Sequence, residues 1–170
     1  ENDHWYRQES EGTRVIGNLG HWIDLSVNLF YNQDRFPSKI NIDIVYSDNL
    51  TPSENISLTF TTPSKDIICI VFSAREEPFE GVSEFLSLQC DDLIAKIDDF
   101  RSLEIWEKEK HYKKKYFPKD NGHKNAALQP KYCDNFRSWS ELKNSTKLML
   151  FIEDMVKNRI KSKNFKIKNK

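Results

Sequence analysis

Between Ser38 and Cys90 apolar and polar residues alternate with a period of two. Ile40, Ile42, Ile44 and Tyr46 fall on one side, with Asn41, Asp43 and Ser47 on the other. Ile56, Leu58 and Phe60 alternate with Ser57, Thr59 and Thr61, and Leu86, Leu88 and Cys90 alternate with Ser87 and Gln89. Strands with one wet and one buried face read this way. The run Ile67 to Phe72 is apolar on both faces and predicts a central strand covered on both sides. The connectors Ser47-Asp48-Asn49, Thr62-Pro63-Ser64-Lys65-Asp66 and Glu77-Pro78-Phe79-Glu80-Gly81 carry turn chemistry. They are too short for parallel crossovers, so the strands form an antiparallel meander.

The flanks extend this pattern. Residues 1–18 are polar and predict an extended or short helical arm. From Gly20 to Tyr31, Ile23, Leu25, Val27, Leu29 and Tyr31 alternate with polar residues and predict a further strand. After Cys90, Asp91 or Asp92 can cap a helix whose stripe is Leu93, Ile97, Phe100 and Glu104. That helix turns basic from Lys108 to Lys115 and stops at Pro118. A polar connector covers 117–137. Ser138 and Glu141 have capping-box spacing and open a second helix, striped by Leu142, Met149, Ile152, Val156 and Ile160. In the basic tail, 157–170, Phe165 and Ile167 alternate with lysines, which suits a lysine-protected edge strand or a frayed end.

The fold class expected is α+β: an antiparallel meander of four to six strands packed by two longer helices, as a single domain over 1–170. At 170 residues the chain can bury roughly 70% of its unfolded surface without metal or disulfide. No apolar run approaches the length of a membrane span. The chain begins at Glu1 rather than Met, which favours an exported mature chain over a cytoplasmic one. Cys69 lies in the most apolar run and reads as a core thiol, whereas Cys90 and Cys133 are the pair able to bridge. Sequons occur at Asn49, Asn55 and Asn144 at a frequency near chance.

Charge changes the picture more than composition does. Residues 1–100 hold 7 Lys and Arg against 18 Asp and Glu, and residues 101–170 hold 19 against 8, so a net charge of zero hides two opposite halves. An acidic surface at Glu76, Glu77, Glu80 and Glu84 suits a partner with a basic surface. The plainer explanation is a solvated rim. The run around Tyr112, Lys113, Lys114 and Lys115, with Lys161 and Lys163 in the tail, interleaves cations with rings and suits nucleic acid. A solvated helix end explains it equally well.

Catalytic signals are weak. His4, His21, His111 and His123 lack zinc-motif spacing, and no glycine-rich phosphate loop or serine elbow is present. His123, within Asp120-Asn121-Gly122-His123, only loosely suggests a metal-dependent nuclease loop. No cofactor is expected. The function expected is therefore a non-enzymatic protein-binding domain, in the manner of a small inhibitor or immunity-type protein. A nucleic-acid-binding module and a metal-dependent nuclease or other hydrolase are the alternatives.

Overall fold

The structure is a computed structural model that describes residues 10, 13–31, 36–47, 54–73, 83–120, 122–124, 128 and 137–167. The chain divides into two compact units. One is Glu1–Arg75 with Arg137–Lys170, and the other is Glu76–Phe136.

The first unit contains α1 (Thr13–Gly17), α2 (Gly20–Phe30), β1 (Lys39–Tyr46), β2 (Asn55–Thr61) and β3 (Ile67–Ser73). The strands of the second unit are β4 (Phe85–Cys90), β5 (Leu93–Asp98), β6 (Ser102–Glu107) and β7 (Lys110–Lys115). The chain then completes the first unit with α3 (Trp139–Lys157) and β8 (Ser162–Lys166). Each unit holds a four-stranded antiparallel sheet, ordered β3-β2-β1-β8 and β4-β5-β6-β7. The α+β class holds, and the strands form two sheets where one meander was expected.

In the first unit the alternation read from sequence sets the register. Ile42 lies opposite Phe60 and Ile44 opposite Leu58, so each strand turns its apolar set to the same side. Ile40, Ile42, Leu58 and Phe60 are wholly buried there with Val15, Ile23 and Val27 from the N-terminal helices, Leu19 from the turn between them, and Leu148, Ile152 and Met155 from α3. On the opposite side Asn41 and Asp43 align with Thr61 and Thr59, and Ser57 lies opposite the exposed Val45.

Helix α3 begins where its capping sequence places it. The Ser138 hydroxyl accepts a bond from the Glu141 amide at 3.1 Å. The helix ends in a Schellman turn without glycine. Arg159 takes the left-handed conformation (φ 54°), its amide reaches Val156 O at 3.2 Å, and the Ile160 amide reaches Met155 O at 2.8 Å. That turn delivers the chain into β8, which pairs Phe165 with Ile40, the edge-strand form of the two expected for the tail.

Four expectations are corrected. Gly20 to Tyr31 is not a strand but helix α2. Its buried set, Ile23, Val27 and Phe30, is spaced by four and three, and Leu29 is 41% exposed. The run from Ile67 to Phe72 is not a central strand. It forms β3 at the sheet edge, with Ile67 67% and Val71 80% exposed. Cys69 therefore lies exposed on the outer side rather than in the core. Lastly, the helix expected from Asp91 to Phe117 is the hairpin succession β5-β6-β7.

Candidate interaction surfaces

The pairing in the second unit sorts its side chains onto two faces. Leu86, Ile97 and Leu103 align across three strands, as do Leu88, Ala95 and Ile105, and all six are half-buried. Among the described residues of this unit none is fully buried. On the other face Gln89, Ile94, Trp106 and His111 align in one row and Ser87, Lys96, Glu104 and Lys113 in the next. Phe85, Asp98, Ser102 and Lys115 form the third row.

Trp106 is the large aromatic residue of the first row. Its indole stacks on the His111 ring with centroids 4.9 Å apart and planes at 12°. Lys96 Nζ lies 5.3 Å from the indole centroid on the neighbouring strand. Half-buried, the indole is flanked by Ile94 at 37% exposure. Lys113 pairs with Glu104, and this bond holds the Glu104 carboxyl below its ordinary pKa. Phe85, 64% exposed, lies at the far end.

The turn at that far end is a compact charged knot. Asp99 accepts from Lys119 Nζ at 2.5 Å and from Arg101 Nε at 3.1 Å. The Lys119 bond, followed by that of Arg101, lowers the Asp99 pKa. A cleft of about 160 Å³ beside it is lined by Ile97, Phe100, Leu103, Tyr116 and Asp120. Ligand pockets begin near roughly 300 Å³, so the cleft is small for a cofactor.

The first unit holds its own polar constellation between α2 and α3. Arg137 donates to Asp24 through Nη1 and to Glu141 Oε1 through Nε at 2.6 Å. Ser145 Oγ donates to Asp24, and Asn28 Nδ2 to Glu141 Oε1 at 3.0 Å. Burial works against the Arg137 charge, but the two carboxylates outweigh it and raise its pKa. The two carboxylates are thus taken up by a helix-to-helix latch. Among the described residues no group of three or more His, Cys, Asp or Glu could hold a metal, and His123 stands exposed.

The residues singled out from sequence are scattered. Glu76, Glu77 and Glu80 lie outside the described residues. Glu84 is half-buried, and its backbone brackets Asp99. Strand β7 splits the basic run, since Lys113 and Lys115 share the Trp106 face while Tyr112 and Lys114 take the other. Lys161 and Lys163 belong to the first unit. Lys163 Nζ lies 3.2 Å from Asp154 and covers the Phe151 ring. Cys133 and Asn49 also lie outside the described residues. Asn144 is buried and donates to Tyr31 OH at 2.7 Å, so its sequon is closed.

Folding also mixes the charge. The first unit holds 16 Lys and Arg against 13 Asp and Glu, and the second holds 10 against 13. The excess of eleven in each sequence half falls to three per unit. Lys96, Trp106 and His111 were not singled out as a group. Their signal was the two-residue spacing of Ile94 with Lys96 and of Glu104 with Trp106, hidden by reading the segment as a helix. Compared with protein-family models, curated proteins and solved structures, the chain shows no match to any.

Proposed function

We propose that this chain is a non-enzymatic protein-binding domain whose recognition surface is the Trp106 face of the second unit. The observation that carries this reading is the indole itself, fixed between Lys96 and His111 with Ile94 beside it. Protein interfaces concentrate their energy in aromatic anchors surrounded by polar groups, and a pre-stacked ring loses little freedom on binding. The rim, Lys96, Glu104, Lys113 and Lys115, supplies charges of both signs. A more specific form of this function is an inhibitory, immunity-type role in which Glu76, Glu77, Glu80 and Glu84 engage a basic partner. Charge reversal at those four positions tests that form separately, by weakening association and reducing its salt dependence.

Nucleic-acid binding is the second reading. It is favoured by the three lysines that share a face with Trp106. It is weakened by Glu104 and Asp98 on that face and by the placement of Tyr112 and Lys114 on the other. Titration of a fluorescent single-stranded oligonucleotide tests it. Salt-dependent binding lost in Lys113→Glu supports nucleic acid, and absence of binding at low salt removes it.

A further inference from the structure

Each sheet has one edge strand that carries lysines, β7 or β8, and one that carries no charge, β3 or β4. Strand β7 carries four lysines in six residues, and β8 carries Lys163 and Lys166. Lysines on an edge strand discourage pairing with another chain. Strand β3 has no such guard. From Ile67 to Ser73 it contains no charge, proline or glycine, and among the described residues no strand pairs with its free side. Among the described residues nothing bonds to its backbone donors and acceptors on that side.

We infer that this edge pairs antiparallel with β3 of a second copy of the chain, joining two four-stranded sheets into one of eight. The sequence of the strand points to a copy of itself, because it is nearly palindromic about Cys69. Placing Cys69 opposite Cys69 sets Ile68 against Ile70 of the second copy and Ile67 against Val71. β-Branched residues then face β-branched residues on both sides, and no like charges meet. Face continuity follows as well. Ile68, Ile70 and Phe72 are partly buried against the core, so pairing would extend both cores across the two-fold axis. Ile67, Cys69 and Val71 would meet on the outer side, where Ile67 and Val71 are most exposed. A two-fold contact must be self-complementary, and this strand satisfies that condition residue by residue. The inference stands apart from the Trp106 surface, which lies on the other unit.

Sedimentation velocity across a wide concentration range tests it, with Val71→Lys as the edge variant. Val71 is exposed, so the variant is expected to fold, as circular dichroism would verify. The expected result is a wild-type dimer whose dissociation constant rises about tenfold or more in Val71→Lys. Directly opposed strand residues have Cβ atoms about 4.5–5.5 Å apart, near disulfide reach. Mild oxidation of a Cys90→Ser/Cys133→Ser protein should therefore join two copies through Cys69. A protein that stays monomeric, a dimer indifferent to Val71→Lys, or a dimer without the Cys69 cross-link would each overturn the inference.

Discussion

The indole of Trp106 and the imidazole of His111 lie nearly parallel on adjacent strands, 4.9 Å between centroids. His111 and Lys96 together hold the indole in one orientation. Truncation at Trp106 should therefore cost partner binding far more than fold. The expected loss on Trp106→Ala is about 2 kcal/mol of binding free energy or more, as for an interface anchor. His111→Ala, which only frees the ring, should cost less. Isothermal titration with the captured partner measures both.

Arg137 bridges Asp24 on α2 and Glu141 on α3. Glu141 is 8% exposed, so removing its cation leaves a nearly buried carboxylate whose remaining side-chain donor among the described residues is the neutral Asn28 amide. Arg137→Met should destabilise the protein by about 1–3 kcal/mol, below the range for a fully buried pair because Arg137 and Asp24 still reach solvent. Replacing Glu141 by Gln as well should recover part of that loss. Urea unfolding of the single and double variants checks the coupling.

The Tyr46 hydroxyl lies 3.1 Å from both Met155 O and Ile160 O, at the C-terminal turn of α3. Burial raises its pKa, with Arg159 acting in the opposite direction. A raised pKa contributes stability that is complete below the unfolded value near 10 and is lost as pH rises through the folded value. Tyr46→Phe should cost about 0.5–1.5 kcal/mol at neutral pH. It should also remove part of the stability loss above about pH 10. Thermal unfolding at neutral and alkaline pH measures both effects.

Asp99 titrates in the opposite sense. Its bond from Lys119 depresses the folded pKa, so its contribution is present above the unfolded pKa near 3.9 and is lost as pH falls through the folded value. Asp99→Asn should flatten the acid limb of the stability profile and leave the alkaline limb unchanged. A melting series between about pH 5 and pH 2 reads the difference.

Ile152 is wholly buried in the first unit. Ile152→Ala should cost about 2–5 kcal/mol, through lost burial and the cavity left behind. Chemical denaturation monitored by far-ultraviolet circular dichroism measures the loss.

Legibility in the sequence followed the chemistry of the turns. Strands β1 and β2 were readable because alternation was strict and their connectors held Pro, Asn and Asp. Strands β5 to β7 were not, because their turns contain no glycine. Asp91, Asp99, Phe100 and Lys108 take positive φ there instead. Aspartate tolerates that conformation, but Phe100 and Lys108 give no local sign of it. The lysines that looked like a helix end are cations on an edge strand.

Helix α2 failed for a different reason. Ile23 and Val27 satisfy a period of two and a period of 3.6 at once, and the burial of Ser26 and Phe30 with exposure of Leu29 separates the two. The composition of β3, apolar on both faces, predicts a central strand, but an unprotected edge shares it. The Trp106 face was invisible for want of the correct period. Once β5 and β6 pair, Lys96 and Trp106 become neighbours that sequence distance alone does not suggest.

The most direct test of the central claim is parallel affinity capture with wild-type protein and Trp106→Ala, each from nuclease-treated and untreated extract. The account expects one protein retained by the wild type in both extracts and lost from the variant, with the variant's fold intact. Equal retention by Trp106→Ala, or retention that collapses on nuclease treatment, would contradict it.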